Sequence, residues 1–326
     1  MAIDASENRS RLIETGSNRQ SHDVGFRPEH RRGGLLGAGG IDISFEFYPP
    51  SSPTREDSLW RSIRRLEGFS PINVAITDQG TKSTRKKTHA TVERILKETK
   101  LTLSAHLTCV NSTKAEIDAI ARRYWNIGVR HIVALRGDEQ AGQPYTPHPD
   151  GYGGTAELVK GLIAIAPFEI AVSAYPEKHP ASPTYEHDID LLKAKIDAGA
   201  TTAITQYFFD NDAFLRFRDR LRAKAIDVPI IAGLLPIYNL KQVARSAARS
   251  NVSIPRRLVA RLEDLDNDIE TRRVVTTAIT AEQILDLVSN GVNRVHLYTL
   301  NRADLIYAIC HMVGLRPIPA LKSQSV

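Results

Sequence analysis

The feature that most constrains this fold is a regular alternation of short β-branched runs with longer segments of helical spacing. It starts at Ile41 and recurs at intervals of about 30 residues, the length of one β/α unit. Amphipathic segments such as 57–66, 115–125 and 191–198 lie between the runs. The runs that predict strands are 41–48, 72–77, 101–109, 131–137, 169–176, 201–208, 229–236 and 294–301. This alternation predicts a parallel sheet covered by helices.

Eight such units are the number that closes a (β/α)8 TIM barrel. The connection before the last strand is longer than the others, and it predicts extra helices near 240–248, 256–262 and 269–289. A doubly wound open sheet is the alternative, but no glycine fingerprint follows the first predicted strand. We therefore predict an α/β protein with a single barrel domain spanning residues 41–326.

Residues 1–40 differ from the rest because they are rich in Ser, Asn, Arg and Gly. This composition predicts a mobile N-terminal tail, with a short helix near Ile13. A nucleic-acid-binding arm is the alternative, but the segment mixes acidic with basic residues.

Composition excludes several classes of protein. The formal net charge is +6, yet the basic residues are spread along the chain and no nucleic-acid motif accompanies them, which favours anionic small-molecule substrates. Cys109 and Cys310 form no CxxC pair, so we expect neither disulfides nor a metal site. We also expect no membrane span, because no apolar run is long enough, and a cytoplasmic location, because no signal or transit segment is recognisable.

Polar residues collect where the predicted strands end, which is where β/α barrels place their chemistry. Glu46 lies between two aromatic residues in a strand suited to burial. Burial disfavours the ionised form of a carboxyl group, which suits Glu46 to act as a general acid near neutral pH. The alternative is a structural carboxylate paired with an arginine. Arg136-Gly137-Asp138 suits a polar ring system or a phosphate, but it also suits a solvated turn.

The remaining candidates are equally open when each is taken alone. His106 is either a catalyst or a satisfied core histidine, and Gln206 either contacts substrate or caps its strand. Tyr175 is equally compatible with a buried core position, and His179 with an exposed loop. P-loop, HExxH and GxSxG motifs are absent from the sequence.

Several longer motifs occur together in order: ISFEFYPP, AHLTC, RHIVALRGD, AVSAYPEKHP, DAGATTAITQYFFD and HLYTLNRADLIYAIC. With these motifs, residues 41–316 resemble the bacterial methylenetetrahydrofolate reductases. The resemblance implies a barrel that holds FAD non-covalently and takes electrons from NADH or NADPH. It further implies a ping-pong reaction in which 5,10-methylenetetrahydrofolate enters the same site, accepts hydride from flavin N5 and leaves as 5-methyltetrahydrofolate. That product is the methyl donor for homocysteine, which implies a role in one-carbon metabolism and methionine biosynthesis.

The resemblance also implies roles for single residues. Glu46 matches the general acid that promotes protonation of folate N10, and Asp138 matches an aspartate beside the flavin N1–C2=O edge that also meets the pterin. Gln206 and Arg302 match substrate-binding positions. The positions that match FAD-binding residues are Thr77, His106, Arg136, Gly137, Asp138, Tyr175, His179, Asp188 and Lys195.

The chain departs from the family pattern around the cofactor. Thr77-Asp78-Gln79-Gly80-Thr81-Lys82 stands where Thr-Tyr-Gly-Ala-Gly is usual. Leu191 and Ala194 replace an Asn and an Arg, Ser182 replaces a small apolar residue, and Leu240 replaces a phenylalanine. We therefore expect FAD to bind more loosely, unless cations in the altered loop compensate; these cations are Lys82, Arg85 and Lys86.

Two alternatives to this function stay open at this stage. One is a relative that binds folate or nucleotide without flavin chemistry, which the altered cofactor positions would allow. The other is the same enzyme working in the methyl-oxidising direction. The resemblance also suggests a homo-oligomer.

Overall fold

The computed structural model of the chain describes residues 40–78, 80–137 and 145–318, and at Lys82 it describes the backbone alone. The predicted tail lies outside these ranges apart from Gly40, so its mobility stays a prediction. Asp138, the second predicted catalytic residue, also lies outside the described residues, and its role stays a prediction too.

The described chain forms a closed barrel of eight parallel strands in sequence order, each paired with the next and β8 paired with β1. The predicted fold class, a (β/α)8 TIM barrel, is therefore confirmed. The strands are β1 (Asp42–Phe47), β2 (Asn73–Ile76), β3 (Leu103–Thr108), β4 (His131–Leu135), β5 (Glu169–Ala174), β6 (Thr202–Thr205), β7 (Ile230–Leu234) and β8 (Arg294–Tyr298).

Helices follow the strands and cover the barrel. They are α1 (Pro53–Glu67), α2 (Lys82–Glu98), α3 (Lys114–Asn126), α4 (Thr155–Ile165), α5 (Tyr185–Asp197), α6 (Asn211–Ala223), α7 (Leu240–Arg249), α8 (Arg256–Leu262), α9 (Ile269–Ser289) and α10 (Ala303–Met312). A short 3₁₀ helix (Glu263–Leu265) links α8 to α9. The extra helices predicted before the last strand are thus α7, α8 and α9.

Local sequence explains where the helices begin and which face they bury. Thr113 caps α3 because its hydroxyl accepts a hydrogen bond from the Glu116 N–H. The Glu116 carboxylate in turn accepts a hydrogen bond from the Thr113 N–H, which completes a reciprocal capping box. Ile117, Ala121 and Tyr124 recur at helical spacing and are buried against the barrel. Side-chain caps of this kind begin most of the other helices.

The strands of the barrel present two different faces. Phe45 and Phe47 on β1 are fully buried in the apolar layer between barrel and helices. Ser44 and Glu46 alternate with them and point into the barrel, where Glu46 reaches His106 on the non-adjacent strand β3. The period of two therefore places polar side chains inside the barrel near its carboxyl end.

A second, smaller apolar cluster holds the extra helices against the ends of β6 and β7. Residues that follow these strands, among them Tyr207, Phe209, Leu235 and Ile237, pack with side chains of α7–α9. This packing holds the connection between β7 and β8 at the carboxyl end of the barrel, where residues of α7 line one side of a cavity. Across the described ranges, no helix is long and apolar enough to cross a membrane. In those same ranges, no group of three or more His, Cys, Asp or Glu residues could hold a metal ion. Both cysteines are buried and form no disulfide.

Candidate active site

A cavity of about 1280 Å³ opens at the carboxyl ends of the strands. It brings together every predicted site residue except Arg302, which lines a neighbouring cavity, and Asp138, which is outside the described residues. The predicted residues that line it are Glu46, Thr77, His106, Arg136, Gly137, Tyr175, His179, Asp188, Lys195 and Gln206. The strand ends thus converge on one site, as the barrel architecture requires.

Glu46 lies at the bottom of this cavity and is almost completely buried. Its Oε2 is 3.4 Å from Nε2 of His106 and 3.5 Å from Nε2 of His296. No arginine forms an ion pair with it in the described part of the chain, so the alternative of a structural Arg–Glu pair is not supported there. Its neighbours are instead two imidazoles.

These imidazoles change the acidity expected for Glu46. Burial acts to raise the pKa of Glu46, but the charge interaction with His106 and the hydrogen bond with His296 outweigh it and lower the pKa below its usual value. Burial thus disfavours the ionised form of Glu46, as its apolar surroundings lead us to expect, but the two imidazoles make the net shift of its pKa downward. Burial also lowers the pKa of His106, although Glu46 partly opposes that effect.

A chain of polar groups extends from Glu46 into the barrel. Ser44 Oγ is 2.8 Å from Nδ1 of His296 and 3.3 Å from the carbonyl oxygen of Val295. Ser44 can therefore accept a hydrogen bond from Nδ1 while it donates to that carbonyl.

His296 is not among the residues predicted for the site, although a signal for it is present in the sequence. His296 and Tyr298 alternate on β8 and face inward as Ser44 and Glu46 do on β1, because β1 pairs with β8 in register. Tyr298 donates a hydrogen bond to the carbonyl of Thr205 at 2.8 Å. Other tyrosines that were not predicted complete the aromatic lining of the cavity: Tyr48, Tyr145, Tyr207 and Tyr238.

The end of β4 combines a cation with a backbone that only glycine tolerates. Gly137 has φ +85°, and an added Cβ would collide with the side chain of Val110. Arg136 stacks its guanidinium over the ring of Tyr145 at 4.5 Å from the ring centre. This packing orients a permanent positive charge at the rim of the cavity.

The loop after β5 is organised by Asp188. Its carboxylate accepts hydrogen bonds from Ser182 Oγ at 2.7 Å and from the backbone N–H of His179 at 3.2 Å. The departure at Ser182 thus supplies a partner for Asp188. The rings of Tyr175 and His179 meet edge to face with their centres 4.7 Å apart. Asp188 therefore shapes the loop that carries His179, which is a positioning role.

Lys195 on α5 projects toward the same wall. Its Nζ donates a hydrogen bond to the carbonyl of Ser173 at 2.9 Å and lies 6.0 Å from the ring centre of Tyr175. Burial lowers the pKa of Lys195 to about 8, against a smaller opposing effect of Asp188. The ammonium lacks a salt-bridge partner among the described residues, so an anion in the cavity would stabilise its charge.

The altered loop after β2 contains a buried ion pair. Asp78 Oδ2 accepts a hydrogen bond from Thr108 Oγ1 at 2.8 Å and lies 3.4 Å from Nε of Arg85. Arg85 also donates to Ser112 Oγ and to the carbonyl of Thr108. Arg85 is thus fully engaged and does not line the cavity, so it cannot replace lost cofactor contacts. Lys86 is exposed to solvent and does not line the cavity, and the side chain of Lys82 is not among the described parts of the structure.

Two features of the cavity fit a large polar cofactor. Thr77 Oγ1 and His106 Nε2 are buried polar atoms on its wall without a hydrogen-bond partner in the described structure. The first turn of α4 also lines it, and Gly154 begins that helix without a side-chain cap. Such a helix N-terminus favours phosphate, although the carboxylate of Glu157 lies in its first turn and accepts a hydrogen bond from the Gly153 N–H at 2.7 Å. Leu191 and Ala194 present an apolar surface on α5, with Leu191 45% exposed, where the family pattern has polar contacts.

Gln206 ends the sixth strand and lines the cavity. Its backbone N–H bonds the carbonyl of Ala174 at 2.7 Å, and its side-chain Oε1 accepts from the Tyr207 N–H at 3.0 Å. Gln206 therefore caps the end of the strand and also lines the cavity, while its contact with substrate stays a prediction.

Comparison with known proteins supplies an independent result. The model of a family described as methylenetetrahydrofolate reductase matches residues 34–314. The 5,10-methylenetetrahydrofolate reductase of Salmonella typhimurium is 46% identical over 279 residues, which cover 86% of this chain and 93% of that protein. The Escherichia coli protein of the same name is 45% identical with the same coverage.

A solved structure agrees with the fold at lower sequence similarity. A Clostridium thermocellum protein described as binding two copies of 5-methyl-5,6,7,8-tetrahydrofolic acid has a TM-score of 0.57 and 18% identity. The match covers 85% of this chain and 94% of that one. At this identity the likeness supports the barrel architecture alone.

Proposed function

The chain belongs to the methylenetetrahydrofolate reductase family, and from this premise we propose that it reduces 5,10-methylenetetrahydrofolate to 5-methyltetrahydrofolate with electrons from NAD(P)H and FAD as cofactor. It is an oxidoreductase of one-carbon metabolism. We further propose a cytoplasmic location, which the two free, buried thiols support. The observation that carries the chemical proposal is the buried chain Ser44–His296–Glu46 at the bottom of the cavity.

When bound, FAD would accept hydride from NAD(P)H and pass it to the one-carbon unit of the folate. The residues present fit that cofactor. Thr77 offers a buried hydroxyl without a hydrogen-bond partner among the described residues, Arg136 and Lys195 offer positive charge, and the start of α4 suits a phosphate. Tyr175 and His179 would contribute aromatic edges to the same wall.

In this proposal Glu46 delivers a proton to N10 of the folate. Protonation at N10 opens the five-membered ring to an iminium that can accept hydride. Because the two histidines lower its pKa, Glu46 is mostly ionised at neutral pH, and its protonated form is scarce but strongly acidic. A proton-transfer partner is therefore needed to reload it.

His296 is the group placed to reload Glu46. Its Nε2 is 3.5 Å from the carboxyl, and its Nδ1 is 2.8 Å from Ser44. A proton held on His296 can pass to Glu46 while Ser44 keeps the imidazole oriented. Gln206 and the tyrosines around Glu46 then bind and orient the pterin and exclude water from the reacting atoms. Asp138 remains a proposed pterin and flavin contact on the strength of the resemblance.

The altered cofactor wall leads us to expect weak FAD binding. Leu191 and Ala194 remove two polar contacts, and Arg85 is engaged with Asp78. Each charge-assisted hydrogen bond lost costs roughly 1.5–3 kcal/mol, so two losses weaken binding by about two to four decades. A flavin-free binding protein is the second candidate, favoured by the same apolar wall.

Dialysis followed by titration with FAD separates these two candidates. The proposal predicts saturable binding with flavin absorption bands near 370 and 450 nm, approximate values for the cofactor itself. Leu191→Asn with Ala194→Arg should tighten binding, and Lys193→Arg on the exposed face of the same helix is the matched control. An absence of binding at high micromolar FAD would favour the flavin-free protein. Oxidation of 5-methyltetrahydrofolate with an added electron acceptor would reveal the methyl-oxidising direction.

A further inference from the structure

The ends of β2, β3 and β4 meet on one side of the cavity. One residue from each end lines the cavity, and we call this side the β2–β4 wall: Asp78, Thr108 and Arg136. Buried polar groups join the three positions to one another, and the proton chain at Glu46 uses none of them. The wall therefore needs an explanation of its own.

The carboxylate of Asp78 joins the loop after β2 to the end of β3. Its Oδ2 accepts hydrogen bonds from the Oγ1 and from the backbone N–H of Thr108, at 2.8 and 3.2 Å. Its Oδ1 accepts another bond from the N–H of Gly80 at 3.0 Å. Because the side chain of Asp78 is only 2% exposed, both oxygens bind the protein itself rather than face a ligand.

The guanidinium of Arg85, paired with this carboxylate, extends the connection to β4. One of its nitrogens donates to the carbonyl oxygens of Thr108 at 2.8 Å and of Val110 at 3.3 Å. The N–H of Val110 in turn donates to the carbonyl oxygen of Arg136 at 2.9 Å. A continuous series of polar contacts therefore runs from Asp78, through the end of β3, to Arg136.

The side chain of Val110 adds a packing contact to the same wall. A Cβ added at Gly80 would lie 2.5 Å from its Cγ1, and a Cβ added at Gly137 would lie 2.4 Å from the same atom. These distances are too short for real side chains, so both glycine backbones are packed closely against the valine. A shift of Val110 therefore disturbs the loop after β2 and the loop after β4 together.

We propose that Asp78 is a positioning residue, which fixes the end of β4 so that Arg136 presents its charge to the cofactor. The inference rests on the proposed function, because it takes FAD as the ligand of Arg136. A charge-assisted hydrogen bond depends on distance and direction, so the place of the guanidinium decides its contribution. Where the family pattern has an aromatic residue, the buried carboxylate thus supports the cofactor's contacts from behind the β2–β4 wall.

The first test measures FAD affinity by titration of the full-length protein. Asp78→Asn keeps the shape of the side chain but removes its charge and one of its acceptors. It should raise the Kd for FAD by roughly 2- to 30-fold, the range typical of residues that act on a ligand through others. Val110→Ala removes the packing contact, leaves the backbone bonds in place and should raise the Kd as well.

Val92→Ala is the matched control for Val110→Ala. Val92 on α2 is 0% exposed and Val110 is 1% exposed, but Val92 does not belong to the lining of the cavity. Both variants lose the same buried methyl groups, so both should lose stability. The Kd should rise for Val110→Ala alone. An equal rise for both variants would overturn the proposal, because the wall would then contribute stability only.

A double-mutant cycle tests whether Asp78 acts through Arg136. If it does, Asp78→Asn should have little further effect on the Kd once Arg136→Met has removed the guanidinium. Additive effects of the two substitutions would overturn the proposal, because the loss caused by Asp78→Asn would then be independent of Arg136.

Hydrogen exchange of the FAD-free protein supplies a readout that needs no ligand. Asp78→Asn should accelerate exchange of the Val110 N–H, which bonds Arg136, more than exchange of amides in β7 across the barrel. Equal acceleration at both places, or none at Val110, would overturn the proposal. Failure of the unsubstituted protein to bind FAD would instead refute the proposed function, and the exchange data would still decide whether Asp78 holds the end of β4.

Discussion

At the scale of single residues, the chemistry depends on what surrounds one carboxyl group. Glu46 faces Nε2 of two histidines, and these lower its pKa against the effect of burial. A buried carboxyl with no such neighbours would shift in the other direction. The identity of His106 and His296 therefore decides the ionisation state in which Glu46 meets its substrate.

Glu46→Gln should stop the reduction of methylenetetrahydrofolate and spare the reduction of bound flavin by NAD(P)H. The amide keeps the shape but cannot supply a proton, and the proton is needed only in the folate half of the reaction. Stopped-flow absorbance of each half-reaction measures this, with a loss of about 10²-fold or more expected in the second half alone. An equal loss in both halves would mean that Glu46 is structural.

The lowered pKa of Glu46 also gives a pH dependence with a definite sign. Above that pKa the protonated fraction falls as pH rises, so the folate half-reaction should slow toward alkaline pH. His296→Asn removes the reloading imidazole and should slow this step further. A folate half-reaction that accelerates with rising pH would contradict a proton-donor role.

Lys195 predicts a second pH effect, this time on cofactor affinity. Its pKa of about 8 means that the ammonium loses its proton above that pH, whereas an ordinary lysine keeps it to about 10.4. Anion binding favours the protonated form, so FAD affinity should be highest below pH 8 and fall above it. Titrations from pH 7 to 9.5 measure this. Lys195→Met should remove the pH dependence, and Lys193→Met, on the same helix, should retain it.

At the scale of elements, the loop between β2 and α2 is held by a buried ion pair. The side chains of Asp78 and Arg85 are 2% and 9% exposed. Removing one partner of such a pair leaves an uncompensated buried charge, which costs about 3–5 kcal/mol. This pair stabilises the loop that the sequence departures altered.

Arg85→Met should therefore lower the free energy of unfolding by about 3–5 kcal/mol. Urea denaturation measures the loss, and Arg216→Met, at an exposed pair, should cost no more than about 1 kcal/mol. The double variant Asp78→Asn/Arg85→Met should lose less than the sum of its single variants. Equal losses of unfolding free energy for Arg85→Met and for Arg216→Met would show that the buried Asp78–Arg85 pair contributes no more to stability than an exposed pair does.

The elements were predictable from the sequence because they follow from local periodicity, and runs of β-branched residues predicted every strand to within a few residues. Strand ends predicted much of the cavity lining, whereas Asp188 and Lys195, which lie on α5, came from the family resemblance alone. His296 was missed because its partners, Ser44 and Glu46, lie 252 and 250 residues away in the chain. The engagement of Arg85 was also missed, because it depends on Ser112 and Thr108, which fold onto it from β3 and the loop that follows.

At the scale of the whole molecule, the family match begins at residue 34 and so leaves out nearly all of the N-terminal segment. That segment also has few apolar residues to bury. Removal of residues 1–38 should therefore change the melting temperature and the turnover number little. Thermal denaturation and steady-state assays of the shortened chain measure this. A large loss of activity or of assembly would show that the segment docks on the barrel. Measuring the molecular mass of the full-length protein in solution tests the predicted homo-oligomer.

In the proposed mechanism, one cavity serves both half-reactions through bound FAD. The decisive measurement is anaerobic addition of NADH or NADPH to the FAD-reconstituted protein, followed by methylenetetrahydrofolate. Absorbance near 450 nm, the approximate flavin band, should be lost with one of the two donors and should return when the folate is added. The recovery should be accompanied by one equivalent of 5-methyltetrahydrofolate for each flavin reoxidised. A flavin that stays reduced after folate addition, or that neither donor reduces, would show that the protein does not work in this way.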